Sequence, residues 1–154
     1  MTPSIERFLM IGNEADLPLL RSLATSFPAN AQGNIFLELA DDRRPLLSAP
    51  PGITTSVLPR SLPSVLHAPG ARACVALESW VGEWVHGEHA SAQGHAIFVG
   101  LAGNPLVERL CAALVQHRPG LHLHRARPAG GHLRDRGTGV RHAHGTGDPG
   151  ALGH

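Results

Sequence analysis

The chain has no lysine and no tyrosine. Without lysine there is no phosphate-loop lysine, and a Walker-type nucleoside triphosphate site is excluded. All thirteen basic residues are arginine, a bias typical of GC-rich coding DNA rather than a sign of chemistry. Cysteine is scarce too. Cys74 and Cys111 show no metal-ligand spacing and read as two reduced thiols in a core. No apolar run approaches the ~18 residues that span a bilayer. No basic segment leads into an apolar one at the N-terminus, so no signal peptide is expected and the location reads as cytoplasmic. No Ser–His–Asp pattern and no pair of catalytic carboxylates is visible, so no side chain is nominated as catalytic and none as a metal ligand.

What is present suits a soluble globular chain: 154 residues, 42% of them apolar. That length favours one domain able to bury its own core. Charge is unevenly spread. Residues 1–116 carry seven Arg and ten acids, whereas residues 117–154 carry six Arg, seven His and two acids. The latter stretch is Gly, His, Arg, Pro and Ala with few large apolar residues, too few to offset chain entropy. It reads as a disordered tail on a domain of residues 1–116, or as the product of a slipped frame in GC-rich DNA. A basic tail could attract nucleic acid, but it has no aromatic residue for stacking, so no nucleic-acid partner is expected.

Strand and helix signals alternate along the first 116 residues. Residues 8–11 form an apolar run that stops at Gly12. Residues 16–27 then carry Leu17, Leu20, Ala24 and Phe27 on one helical face, with Asp16 placed to cap the helix and Pro18 in its first turn. Residues 35–39 and the β-branched stretch 53–58 read as strands, joined by a long Pro-rich connection. Pro59, Pro63 and Pro69 make the next stretch irregular. Residues 72–86 fit a helix with Ala73, Leu77, Trp80 and Trp84 on one stripe. Residues 96–100 read as a strand, and 105–116 as a helix capped by Asn104 with Pro105 at its first position. The strands lack polar alternation. The pattern predicts an α/β fold: a three-layer parallel sheet of about four or five strands.

Ligands of such folds gather where strand ends meet helix starts. Two corners qualify. Gly12, Asn13 and Glu14 follow the first strand, and Gly100 to Pro105 follow the last. Each is equally readable as an ordinary strand-to-helix turn. Arg60 directly follows the third strand and could grip a phosphate through two parallel hydrogen bonds. Arg43 and Arg44 carry a weaker version of that argument. Gly145, Gly147 and Gly150 match a dinucleotide fingerprint by letter only, with no strand before them and no helix after. The pairs His122/His124 and His142/His144, and the group His86, Glu88 and His89, lack a further ligand at a telling spacing.

The first corner also resembles the start of the C-terminal domain of siderophore-interacting proteins, the flavin-dependent ferric-siderophore reductases. There a strand runs into Gly-Asp-Glu-Thr-Ala-Leu-Pro-Ala. Here the same slots hold Gly12, Asn13, Glu14, Ala15, Asp16, Leu17, Pro18 and Leu19. Glu38 with Asp41 and Asp42 is similar to that family's acid-bearing second strand. Residues 46–60 are similar to its Leu-Pro connection into a strand ending in Trp-x-x-Arg, with Ser56 in the Trp slot and Arg60 retained. Residues 97–101 match its last strand, and Arg109 lies on the helix that follows.

The resemblance implies a nucleotide-binding domain like that of ferredoxin reductases. NADPH or NADH would sit near Gly12, Asn13, Glu14, Arg60 and Gly100 and deliver hydride to FAD, which then reduces ferric siderophore. Departures accompany the match. Asn13 stands for Asp and Leu101 for Glu. Gly131 to Arg134 lack the aromatic residues of the family's closing Gly-Tyr-Trp-Arg. The FAD-binding barrel with its Arg-x-Tyr-Thr motif is not in this sequence, so FAD is expected only through a missing or partner domain, and siderophore only indirectly. The alternative is a catalytically inactive relic or protein-interaction domain with the same fold.

Overall fold

The computed structural model describes residues 7–85 and 94–126. The tail beyond residue 126 and the group His86, Glu88 and His89 lie outside them. Strand β1 (Arg7–Gly12) leads through a single 3-10 turn (Glu14–Asp16) into helix α1 (Leu17–Thr25). Strands β2 (Gln32–Leu39) and β3 (Ile53–Pro59) follow, then a hairpin of β4 (Ser61–Leu62) and β5 (Val65–Leu66). Helix α2 (Ala71–Trp84), β6 (His95–Val99), α3 (Pro105–His117) and β7 (Leu123–Arg125) complete the order.

The main sheet has five strands in the order β3-β2-β1-β6-β7, all parallel. The three-layer α/β expectation therefore holds. Burial on both faces explains why the strands read as continuous apolar runs. Leu9, Ile11, Ile97 and Val99 face α2 and α3, where they join Ala73, Leu77, Trp80, Val81, Val107 and Cys111. Met10, Ile35, Leu37 and Ile53 face the other way and pack with Leu20 and Ala24 of α1. On that side an apolar groove of about 520 Å³ runs between the end of α1 and the β1–β6 pair, lined in part by Phe8, Phe27, Phe98 and His124.

Two side chains tie helices to the sheet. Glu38, fully buried in β2, accepts hydrogen bonds from the Gly70 N–H at 2.6 Å and the Ala73 N–H at 2.8 Å. It thus supplies from a neighbouring strand the acceptor that the first turn of α2 needs. Asn104 caps α3 as its sequence position predicts, through Oδ1 and the N–H groups of Leu106 and Val107. Its Nδ2 also donates to the Pro69 carbonyl, so the starts of α2 and α3 are joined. At the opposite edge the Trp80 indole N–H donates to Asn34, and the Arg7 guanidinium lies 3.6 Å over the Trp84 ring.

Three readings of the sequence are corrected. The prolines around residue 63 do not leave that stretch irregular, because the β4–β5 hairpin forms there, held by backbone bonds from Arg60 N–H to Leu39 and from His67 N–H to Arg60. Order does not end near residue 117: β7 adds to β6 along Ile97–Val99, where open backbone groups at a sheet edge accept another strand. Asp16 does not cap α1, since its side chain makes no hydrogen bond to that helix's first turn. Among the described residues no helix is long and apolar enough to cross a membrane.

Glu38→Ala leaves two buried N–H groups without a partner and is expected to lower stability by about 2–4 kcal/mol. Glu83→Ala, on the exposed face of the same helix, is expected to stay within about 0.5 kcal/mol. Urea unfolding of both variants measures the contrast, and equal losses would show that Glu38 does not anchor α2.

Candidate functional site

The strand order reverses between β1 and β6. β1 leads leftward to β2 and β3, and the chain then crosses to β6 on the other side. A crevice at such a reversal, outside the carboxyl ends of the strands, is where α/β sheets hold ligands. Gly12 ends β1 and Gly100 follows β6, and the Gly100 N–H donates to the Ile11 carbonyl at 2.7 Å. The two glycine corners predicted from sequence are therefore side by side.

Asn13 begins the 3-10 turn. Its Oδ1 accepts from the Ala15 N–H at 3.1 Å, and its own N–H donates to Asp16 Oδ2 at 3.0 Å. That same Asp16 oxygen accepts from the Leu101 N–H at 2.9 Å. Asp16 is only 9% exposed, so its carboxylate bridges the two corners from inside. A Cβ on Gly100 would run into that carboxylate, and one on Gly12 would come within 2.6 Å of Leu20 and 2.9 Å of the Asp16 Cβ. Only glycine fits at either corner. Leu101 adopts φ +52°, the one non-glycine residue with positive φ among the described residues, and turns its side chain into the core. The Asp16 hydrogen bond holds it there against a steric cost.

Glu14 points the other way along the edge. Its Oε1 accepts from the Ala40 N–H at 2.6 Å, just past the end of β2. The Arg60 guanidinium reaches both of its oxygens at 3.4 and 3.5 Å. Partial burial pushes the Glu14 carboxyl up, but its hydrogen bonds from the Glu14 and Ala40 N–H groups and the charge of Arg60 outweigh this and hold it below its ordinary value. The pair is loose and half open to solvent, worth about 0–1 kcal/mol at most. It therefore leaves the guanidinium free to exchange partners at little cost. Arg44 is directed to the Thr55 carbonyl and Arg43 to Asp41, an exposed pair at 3.8 Å.

All five residues singled out from sequence, Gly12, Asn13, Glu14, Arg60 and Gly100, thus lie along the carboxyl edge of the sheet. Glu14 and Arg60 touch, and Gly12, Asn13 and Gly100 gather around Asp16. The roles of Asp16 and Glu38 escaped the sequence reading. A signal existed for Glu38, a lone acid inside an otherwise apolar strand. For Asp16 only the local half was legible, since Asn13 and Asp16 stand at capping-box spacing, whereas its other partner, Leu101, is 85 positions away.

The arrangement fits a nicotinamide nucleotide at one end and not at the other. Arg60 is suited to a phosphate. Around the crevice, however, the N–H groups of Asn13, Ala15, Leu101, Leu106 and Val107 already serve the chain's own acceptors, and a carboxylate stands between the glycines. No group of three or more metal-ligating side chains occurs among the described residues.

No protein-family model and no curated protein matches this chain. Solved structures do match. A siderophore utilization protein from T. fusca superposes with a TM-score of 0.57 at 19% identity, over 81% of this chain and 45% of that one. The siderophore-interacting protein SipS from Aeromonas hydrophila gives 0.51 at 18% identity, over 82% of this chain and 53% of that one. At these identities the likeness is one of fold. The chain spans about half the length of the proteins it matches.

Two outcomes follow from the geometry. The low-lying acid of Glu14 contributes stability above its unfolded value and loses it as pH falls through the folded one. Glu14→Gln is therefore expected to flatten the stability–pH curve below about pH 4 and leave it unchanged near neutrality. Thermal unfolding from pH 3 to 7 reads this. Burial pushes both thiols up, and in Cys111, which accepts from Arg125 at 3.1 Å, the arginine offsets this only in part. Both should react slowly with an aromatic disulfide at pH 7, the half-buried Cys74 before the buried Cys111.

Proposed function

We propose that this chain is a nicotinamide-nucleotide-binding domain of the siderophore-interacting kind, which positions NADPH or NADH beside a flavin carried by another domain or partner. The observation that carries the reading is the Glu14–Arg60 pair at the carboxyl ends of β1, β2 and β3, beside the point where the strand order reverses. The fold shared with siderophore utilization and siderophore-interacting proteins supports it.

When bound, the nucleotide supplies a hydride. The chain's own residues would bind and orient. Arg60 exchanges Glu14 for a phosphate, and Glu14, held by Ala40, keeps the guanidinium aimed along the edge while the ligand is absent. A flat ring would lie over the Asp16 carboxylate that fills the space between the two glycine corners. No side chain is needed as acid or base, because hydride transfer between two cofactors requires none from the protein. The iron of a ferric siderophore would be reached only through the flavin.

A second reading is favoured by one observation. The Asp16 carboxylate fills the crevice and the neighbouring amides are already satisfied, as in a domain that keeps the fold for protein interaction and no longer takes a nucleotide.

Fluorescence titration of the full chain with NADPH separates the two. Saturable binding is expected, weakened about tenfold or more by Arg60→Ala, the loss of one charge-assisted phosphate contact. A folded chain that gives no saturable signal at millimolar NADPH, with Arg60→Ala indistinguishable from it, would leave the interaction-domain reading.

A further inference from the structure

The place where a sheet of this order ordinarily takes its ligand is filled in this chain by a carboxylate of its own. Asp16 enters between the ends of β1 and β6 and is held by two N–H groups, one from each corner. Gly100 is shaped around it, since a Cβ there would strike the carboxylate, while a Cβ on Gly12 would meet Leu20 and the Asp16 Cβ. The Leu101 backbone takes up positive φ in the conformation that offers its N–H to the same oxygen. These observations converge on a single built feature, a carboxylate at the floor of the crevice. The cations of the edge are engaged elsewhere: Arg125, which ends β7 beside Val99, pairs with Glu108. Glu14 is itself acidic, and Arg60 is engaged with Glu14.

We propose that Asp16 determines the specificity of this edge: its charge closes the crevice between Gly12 and Gly100 to phosphate groups and confines them to the Arg60 end. The ligand's identity rests on the nucleotide reading above. Two physical reasons carry the closure. A charge removed from water repels another more strongly than a solvated one does. The amides that could otherwise hold a phosphate oxygen, those of Asn13 and Leu101, are already donating to Asp16. An uncharged ring can lie over this floor; a pyrophosphate cannot.

Asp16→Asn tests the charge alone, because the amide oxygen still accepts from both corners. The full chain, wild type and variant, is titrated with NADPH and with reduced nicotinamide riboside, which has no phosphate. The expected result is NADPH binding about tenfold tighter in Asp16→Asn, the scale of one charge contact near a protein surface, with the riboside unchanged. A wild type that ignores NADPH beside a variant that binds it would support closure equally.

Equal or weaker NADPH binding by the folded variant would overturn the proposal. So would an equal gain for the riboside, which would indicate loosening rather than charge. Failure of the nucleotide reading looks different: neither chain binds NADPH, and Arg60→Ala changes nothing. In that case the closing role fails with it. If the wild type binds in an Arg60-dependent way and Asp16→Asn gains nothing, only the closing role fails. Should Asp16→Asn not fold, Asp16→Ser keeps an uncharged acceptor at the same position and allows the same titration.

Discussion

A parallel sheet gathers the starts of its helices at one edge, and each start exposes N–H groups that need acceptors. In this protein the chain meets that demand with its own polar side chains. Glu38 does so for α2 from the middle of the sheet, Asn104 for α3, and Asn13 with Asp16 for the turn that leads into α1. The buried Glu38 carboxylate is the most consequential, because nothing else satisfies it and both of its oxygens are committed. Through Gly70 it sets the start of α2, and through Asn104 and Pro69 the start of α3 follows. The packing of Trp80, Leu77 and Val107 on β1 and β6 depends on both helices starting where they do.

This self-sufficiency has a functional consequence. An edge whose amides are unoccupied is an anion site; an edge whose amides are occupied must use side chains instead. Arg60, loosely paired with Glu14, is the side chain proposed for that part. The same edge thus holds a cation that can be released at little cost and an anion, Asp16, that cannot be.

The elements were largely legible in the sequence. Apolar runs without polar alternation marked β1, β2, β3 and β6. Asn104 and Pro105 marked the start of α3, and the stripe of Ala73, Leu77 and Trp80 marked the buried face of α2. Readings that missed did so for reasons of context. The β4–β5 strands are two residues each and exist because Arg60 and His67 pair through the backbone across a turn. β7 is three residues of a polar stretch, His124 and Arg125 included, recruited by the open edge of β6 rather than by its own propensity. Asp16 stands two positions before Pro18 and has the composition of a cap for α1, but its carboxylate instead accepts from the N–H groups of Asn13, three residues before it, and Leu101, across the crevice.

By itself the sequence determined the class of fold, the direction in which the helices bury their faces, and which residues stand at the strand ends. Those properties follow from local periodicity and from the few conformations that glycine and proline impose. Only the tertiary structure decided which strand ends adjoin. It placed Glu14 against Arg60, 46 positions apart, and Asp16 against Leu101, 85 positions apart. Contacts of that separation leave no periodic trace in a single chain, because they arise from the order in which strands assemble. The site's chemistry is a product of that order.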